Sequence, residues 1–98
     1  MESIDITVAV AQDQISPKLK QLADRINESL KEYGIHALKH VKKEEVLKIS
    51  FDSEGEVYKG RIYPNETGIK ASITYKDEAN PQALMLLQRL IRQTLEAP

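Results

Sequence analysis

Four positively charged residues lie at short intervals in the segment VYKGRIYPNETGIKASITYK, which spans residues 57–76, and Tyr63 lies among them. Lysine and arginine side chains bind phosphate oxygens, and an exposed aromatic ring can stack on an unpaired base. Gathered on one surface, such residues would suit an anionic partner such as RNA. The residues in question are Lys59, Arg61, Tyr63, Lys70 and Lys76.

Two histidines and a carboxylate form a second set that could do chemistry. His36, His40 and Glu44 follow one another at intervals of four residues, which would align them on one face of a helix. Such a set can bind zinc. The segment does not require a helix, however, and neighbouring lysines would repel a cation. We therefore expect solvent-exposed histidines and no bound metal. The lysines are Lys39, Lys42 and Lys43.

Motifs for catalysis are missing from the rest of the sequence. No Gly-rich loop leads from a strand into a helix, no nucleophile elbow is present, and there is no cysteine. We therefore expect a protein that is not an enzyme and that holds no cofactor.

The positions of these side chains in the fold depend on the strands and helices that contain them. Residues 4–10 alternate between apolar and polar, which predicts a strand with one buried face. Ser16-Pro17 then indicates a helix start, with Ser16 as the N-cap, and Gly34 is expected to end that helix. One narrow apolar stripe runs along it, formed by Leu19, Leu22, Ala23, Ile26, Leu30 and Tyr33.

The second half of the chain predicts three antiparallel strands, because apolar residues alternate over 47–51, 58–62 and 69–75. Turns are expected at Ser53-Glu54-Gly55 and between Pro64 and Gly68. Residues 35–45 fit a short strand, a helical turn or a loop. Asn80-Pro81 indicates the start of a last helix.

The resulting order is β-α-β-β-β-α, with an extra strand near residues 35–42 as the alternative. We predict an α+β two-layer sandwich, with both helices packed on one face of an antiparallel sheet, because each helix has a core stripe and each strand one apolar side. The other face would then be open to solvent. By alternation its members are Asp5, Thr7, Lys48, Ser50, Asp52, Val57, Lys59, Arg61, Tyr63, Lys70, Ser72, Thr74 and Lys76.

Five of these residues are positive and two are negative, although the whole chain has a net charge of −1. This excess suits an anionic partner, but a solvated sheet face favours the same residue types, and lysines on outer strands also discourage aggregation. Both explanations stay open. The candidate binding residues are Lys48, Lys59, Arg61, Tyr63, Lys70 and Lys76.

The last helix carries an apolar arc that covers about half of its circumference, more than one contact with a sheet needs. It would contact the sheet and the first helix together, or a second subunit. Our leading hypothesis is therefore a protein-interaction or adaptor domain that could form a homodimer through this helix or an edge strand. The alternative is an RNA- or ribosome-associated protein that binds through the open face.

Length and composition limit the number of domains, the cellular compartment and the contact with membranes that we expect. Ninety-eight residues suffice for one domain. The N-terminal residues do not resemble a signal peptide, the absence of cysteine fits a reducing compartment, and the longest apolar run, Ala83 to Leu87, is too short to span a membrane. We expect a cytoplasmic protein without membrane contact.

The order β-α-β-β-β-α resembles the double-stranded-RNA-binding-like fold used by bacterial ribosome hibernation factors. The resemblance lies in topology and size, and it implies helices on one face of a sheet. Proteins of that kind carry a run of lysines at the start of the final helix. Asp77, Glu78, Asn80 and Pro81 stand there in this chain, so no functional residue is transferred.

Overall fold

A five-stranded sheet carries the candidate binding residues. The computed structural model describes residues 2–42, 44–51, 58–77 and 79–97, and for residues 38–42, 44–51 and 58 the description covers the backbone. The described residues form five strands, β1 (Glu2–Ala9), β2 (Ile35–Lys42), β3 (Glu44–Phe51), β4 (Tyr58–Pro64) and β5 (Gly68–Tyr75), and two α-helices, α1 (Ile15–Ser29) and α2 (Pro81–Glu96).

The strands lie in the order β1-β5-β4-β3-β2, and each neighbouring pair is antiparallel. β1 and β2 therefore form the two edges, and α1 connects them across the whole sheet. The predicted α+β architecture is confirmed. The strand near residues 35–42 is present, so the element order is β-α-β-β-β-β-α. Because of this additional strand, the element order of the chain differs from the β-α-β-β-β-α order on which the resemblance to the hibernation factors was based.

One face of the sheet is buried and the other is not. In β1, Ile6 and Val8 are buried, whereas Asp5 and Thr7 are exposed, and the alternation predicted from the sequence thus holds. The buried side chains of the strands and of both helices belong to a single cluster, so both helices pack on the same side. Its largest fully buried members are Ile6, Leu19, Leu22, Ile26, Leu30, Ile35, Ile62, Ile69, Ile73, Leu87 and Ile91.

The ends of α1 differ from the prediction. The helix begins at Ile15, directly after a 3-10 turn, so Ser16 is inside it and does not act as its N-cap. It ends at Ser29 and continues as a short 3-10 turn to Gly34. Gly34 has the left-handed backbone conformation, with φ of 70°, that glycine adopts without steric cost.

The start of α2 is confirmed. Asn80 is the N-cap, and its Oδ1 accepts hydrogen bonds from the main-chain N–H groups of Gln82 (2.9 Å) and Ala83 (3.3 Å). Pro81 occupies the first turn, where its missing N–H leaves no donor unsatisfied.

The broad apolar arc of α2 faces the protein's own core. The helix packs against both α1 and β1, which is the first of the two explanations for its width. Among the described large hydrophobic residues, Met85 stands out as exposed, at 58%. Met85 lies outside the arc, whose members are buried (Ala83, Leu84, Leu87, Ile91 and Leu95) or half-buried (Leu86 and Leu90).

The turn between β4 and β5 brings β5 against β1. Asn65 Oδ1 accepts hydrogen bonds from the N–H groups of Thr67 (3.1 Å) and Gly68 (2.7 Å), which closes the turn. Gly68 then passes so close to β1 that a Cβ atom would overlap the main chain at Val8 and Val10. A glycine is required here because of this close approach.

The predicted turn at Ser53-Glu54-Gly55, together with Asp52 and Val57, lies outside the described residues. No helix within the described ranges combines the length and the apolar character that crossing a membrane requires.

Candidate anion-binding face

Backbone register brings the candidate residues of neighbouring strands side by side. Directly paired residues of antiparallel strands share a face, so the pairs Arg61–Ser72, Tyr63–Lys70 and Lys59–Thr74 define one surface across β4 and β5. β1 extends the same surface on one side. We call the surface the open face, and its members on β1, β4 and β5 are Ser3, Asp5, Thr7, Lys59, Arg61, Tyr63, Lys70, Ser72 and Thr74.

The cations of the open face are not neutralised. Lys59 and Arg61 are exposed and Lys70 is half-buried. None of the three forms an ion pair with a carboxylate, as far as the described residues go. Asp5 shares the face, and it too forms no ion pair with a described residue. The positive charge on this surface is therefore available to a ligand.

Arg61 and Tyr63 form the best-defined contact on the open face. They lie two residues apart on β4, and the guanidinium carbon of Arg61 sits 5.8 Å from the centre of the Tyr63 ring. A cation at this distance over an aromatic face is attracted to it, which holds the guanidinium in place. The pair therefore presents a planar donor group next to a half-buried ring.

A shallow groove of about 240 Å³ runs between β4 and β5 beside this pair. One wall is fixed by Thr74, whose Oγ1 donates a hydrogen bond to the main-chain oxygen of Lys59 (3.2 Å). Two cations and a serine hydroxyl can donate hydrogen bonds to an anion in the groove. Its lining consists of Lys59, Gly60, Arg61, Tyr63, Ser72 and Thr74.

Two candidate residues stand apart from this group. Lys76 is exposed but follows the last residue of β5, so it lies at the margin of the sheet. The backbone of Lys48 lies opposite Arg61 in the β3–β4 register, and its side chain lies outside the described part. The structure thus brings together Lys59, Arg61, Tyr63 and Lys70.

The histidine set does not share a helical face. His36 and His40 belong to strand β2, and Glu44 begins strand β3 opposite Lys42. In strands, a spacing of four residues does not bring the three side chains together as it would on one face of a helix. Among the residues that the structure describes, no group of three histidines or carboxylates is placed to hold a metal ion.

Lys18 and Arg25 are important polar residues that sequence reasoning missed. Lys18 is only 9% exposed, and its ammonium group donates hydrogen bonds to the main-chain oxygens of Thr94 (3.3 Å) and Ala97. An Arg25 guanidinium nitrogen donates to Thr94 Oγ1 at 3.4 Å. The sequence did indicate that Lys18 and Arg25 lie near the core, because residues 18, 22 and 25 follow helical spacing beside the apolar stripe.

Asn27 of α1 was missed as well. Its Nδ2 donates to the main-chain oxygen of Ala37 (3.2 Å), and its Oδ1 accepts from the N–H of Ala37 (2.9 Å). In an antiparallel edge strand, a residue whose two main-chain groups both point outward has no strand partner for them. The amide of Asn27 takes the place of that partner and covers the β2 edge at Ala37, near the start of the strand.

Comparison of the chain with protein-family models, with curated proteins and with solved structures finds no match in any of the three. The fold and the surface therefore define only a class: an α+β two-layer protein whose sheet has one open, cationic face.

Proposed function

We propose that the protein is a non-catalytic binding module and that RNA binds to its open face. The observation that carries this proposal is the cluster of Lys59, Arg61 and Lys70, which lie on one face beside Tyr63 and have no carboxylate partner among the described residues. An anion that enters this cluster would gain charge-assisted hydrogen bonds.

The shape of the face favours a single-stranded polymer over a small molecule. Pockets for small molecules usually enclose about 300–1,000 Å³, whereas the groove here is smaller and measures about 240 Å³. Unpaired RNA bases stack on aromatic rings and on arginine planes, and lysines bind the phosphates between them. Arg61 with Tyr63, flanked by Lys59 and Lys70, supplies both kinds of contact.

A charge-reversal experiment tests the proposal. In the open-face variant, Lys59, Arg61 and Lys70 are each replaced by Glu. The matched control carries the same change of net charge on the helical layer, with Glu replacing the exposed Lys20, Lys31 and Arg89. Binding of a short, fluorescently labelled oligouridine is measured by anisotropy at low salt. We expect at least a tenfold loss of affinity in the open-face variant and a much smaller loss in the control.

Two results would contradict RNA binding at this face. Equal losses in both variants would show a response to net charge alone. Absence of binding by the wild-type protein at about 50 mM salt, where phosphate contacts are strong, would remove the proposal entirely. Circular dichroism of each variant separates loss of binding from loss of structure.

Protein interaction through strand β1 is the second candidate function, and the edges of the sheet favour it. Asn27 covers the β2 edge at Ala37, whereas β1 forms hydrogen bonds only on its β5 side within the described residues. An uncovered edge strand can pair with another extended chain. A second copy is a suitable partner, because antiparallel pairing centred on Ile6 would place Asp5 opposite Thr7 and avoid facing like charges.

Sedimentation velocity over a wide range of concentrations tests this second candidate. A monomer–dimer equilibrium is expected, and replacing Ile6 should not be used to probe it because Ile6 is part of the core. Thr7→Lys is a better probe, because it leaves the core unchanged and places a positive charge opposite Asp5 of the other copy, so it should strengthen the dimer. A wild-type protein that stays monomeric at high concentration would contradict self-association.

A further inference from the structure

A second cavity lies on the helical side of β1, where the C-terminal end of this strand meets the last turn of α2. It measures about 530 Å³, within the range of about 300–1,000 Å³ that small-molecule sites occupy. Most of its wall is apolar, and Lys18 contributes an ammonium group. The lining residues are Thr7, Val8, Ala9, Val10, Ala11, Gln14, Lys18, Leu95, Glu96 and Ala97.

Lys18 is a nearly buried lysine whose partners, within the described residues, are main-chain oxygens. The side chain is 9% exposed, and it forms no ion pair with any described carboxylate. Its acceptors are the neutral main-chain oxygens of Thr94 and Ala97 at the end of α2. The negative end of the helix dipole compensates the charge only in part, and a buried charge is costly unless it is fully paired.

The ammonium group of Lys18 can donate to one acceptor beyond the two that the structure shows. An ammonium carries three protons, and two of them are directed at Thr94 and Ala97. No other protein acceptor is found for Lys18 within the described residues. A carboxylate oxygen in the adjoining cavity would accept the third proton and pair with the positive charge of Lys18.

We infer that this cavity binds a small aliphatic carboxylate, with Lys18 as the group that recognises the carboxylate. Val8, Val10 and Leu95 would contact the hydrocarbon part of the ligand. A singly charged anion is favoured over a phosphate dianion, because Lys18 is the cation among the described lining residues and the acidic residue Glu96 also lines the cavity. The ion pair of Glu96 with Arg92, at 3.8 Å, reduces that repulsion.

The inference does not depend on RNA binding, because it rests on Lys18 and the apolar wall and not on the cations of the open face. Its test uses wild-type protein with two probes of nearly equal shape, sodium butyrate and uncharged butyramide, at constant ionic strength. Methyl signals of Val8, Val10 and Leu95 are followed by NMR. Butyrate should shift these signals saturably and bind at least tenfold more tightly than butyramide.

Two variants identify the recognising group. Lys18→Met removes the charge but keeps most of the side-chain length, and it should weaken butyrate binding at least tenfold. Lys20→Met, on the exposed side of the same helix, should leave it unchanged. Equal binding of butyrate and butyramide, or unchanged affinity after Lys18→Met, would overturn the inference. If Lys18→Met does not fold, the comparison of the two probes with wild-type protein decides the question.

Discussion

Replacing Asn27 tests whether a helix side chain completes the β2 edge. Asn27→Ala removes both hydrogen bonds to Ala37. Each contributes about 0.5–1.5 kcal/mol to the free energy of unfolding, so about 1–3 kcal/mol is lost. Alanine is a better helix former than asparagine by up to about 0.7 kcal/mol, which offsets part of the loss. The expected net destabilisation is about 1.5 kcal/mol.

Asn27→Asp makes the test specific. The introduced carboxylate can still accept from the N–H of Ala37, but an oxygen replaces the Nδ2 donor and faces the carbonyl oxygen of Ala37. This variant should therefore be less stable than Asn27→Ala at neutral pH, even though it is closer in shape to the wild type. Glu28→Ala, at the neighbouring exposed position, is the control and should change stability by less than about 0.5 kcal/mol.

Urea unfolding followed by circular dichroism gives the free energies, and thermal unfolding gives a second measure. A loss of about 1.5 kcal/mol should lower the Tm by roughly 6–12 °C in a domain of this size. Amide exchange provides a local measure, because the N–H of Ala37 should exchange faster in Asn27→Ala. Stability equal to that of Glu28→Ala, with unchanged exchange at Ala37, would refute the role assigned to Asn27.

The remaining predictions concern the β4–β5 turn, the α2 cap and the open face. Gly68→Ala should destabilise by about 3 kcal/mol in urea unfolding, because the new methyl group meets backbone atoms of β1. Asn80→Ala should cost about 1 kcal/mol and Asn80→Asp much less, since the latter keeps the capping oxygen; equal losses would contradict the cap. If three open-face cations bind RNA phosphates, affinity should fall roughly 20-fold between about 50 and 200 mM salt. Lys59→Gln should make that dependence shallower by about 0.7 in log–log slope, and Lys20→Gln should not.

Local patterns in the sequence determined much of this fold. The alternation in β1 and β5 and the apolar stripes of both helices depend on residues close in the chain, because side chains alternate every two residues in a strand and repeat every 3.6 in a helix. Asn80-Pro81 identified the start of α2 for the same local reason. The alternation also placed Lys59, Arg61, Tyr63 and Lys70 on one face before any tertiary contact was known.

Contacts between distant parts of the chain decided the rest. Only the tertiary structure placed β1 beside β5, made β2 a strand and covered its edge with Asn27, because strand pairing joins residues that no local pattern relates. The sequence likewise did not indicate the role of Lys18. Its partners, Thr94 and Ala97, lie more than seventy positions away along the chain, and a lysine next to an apolar stripe would otherwise extend into water.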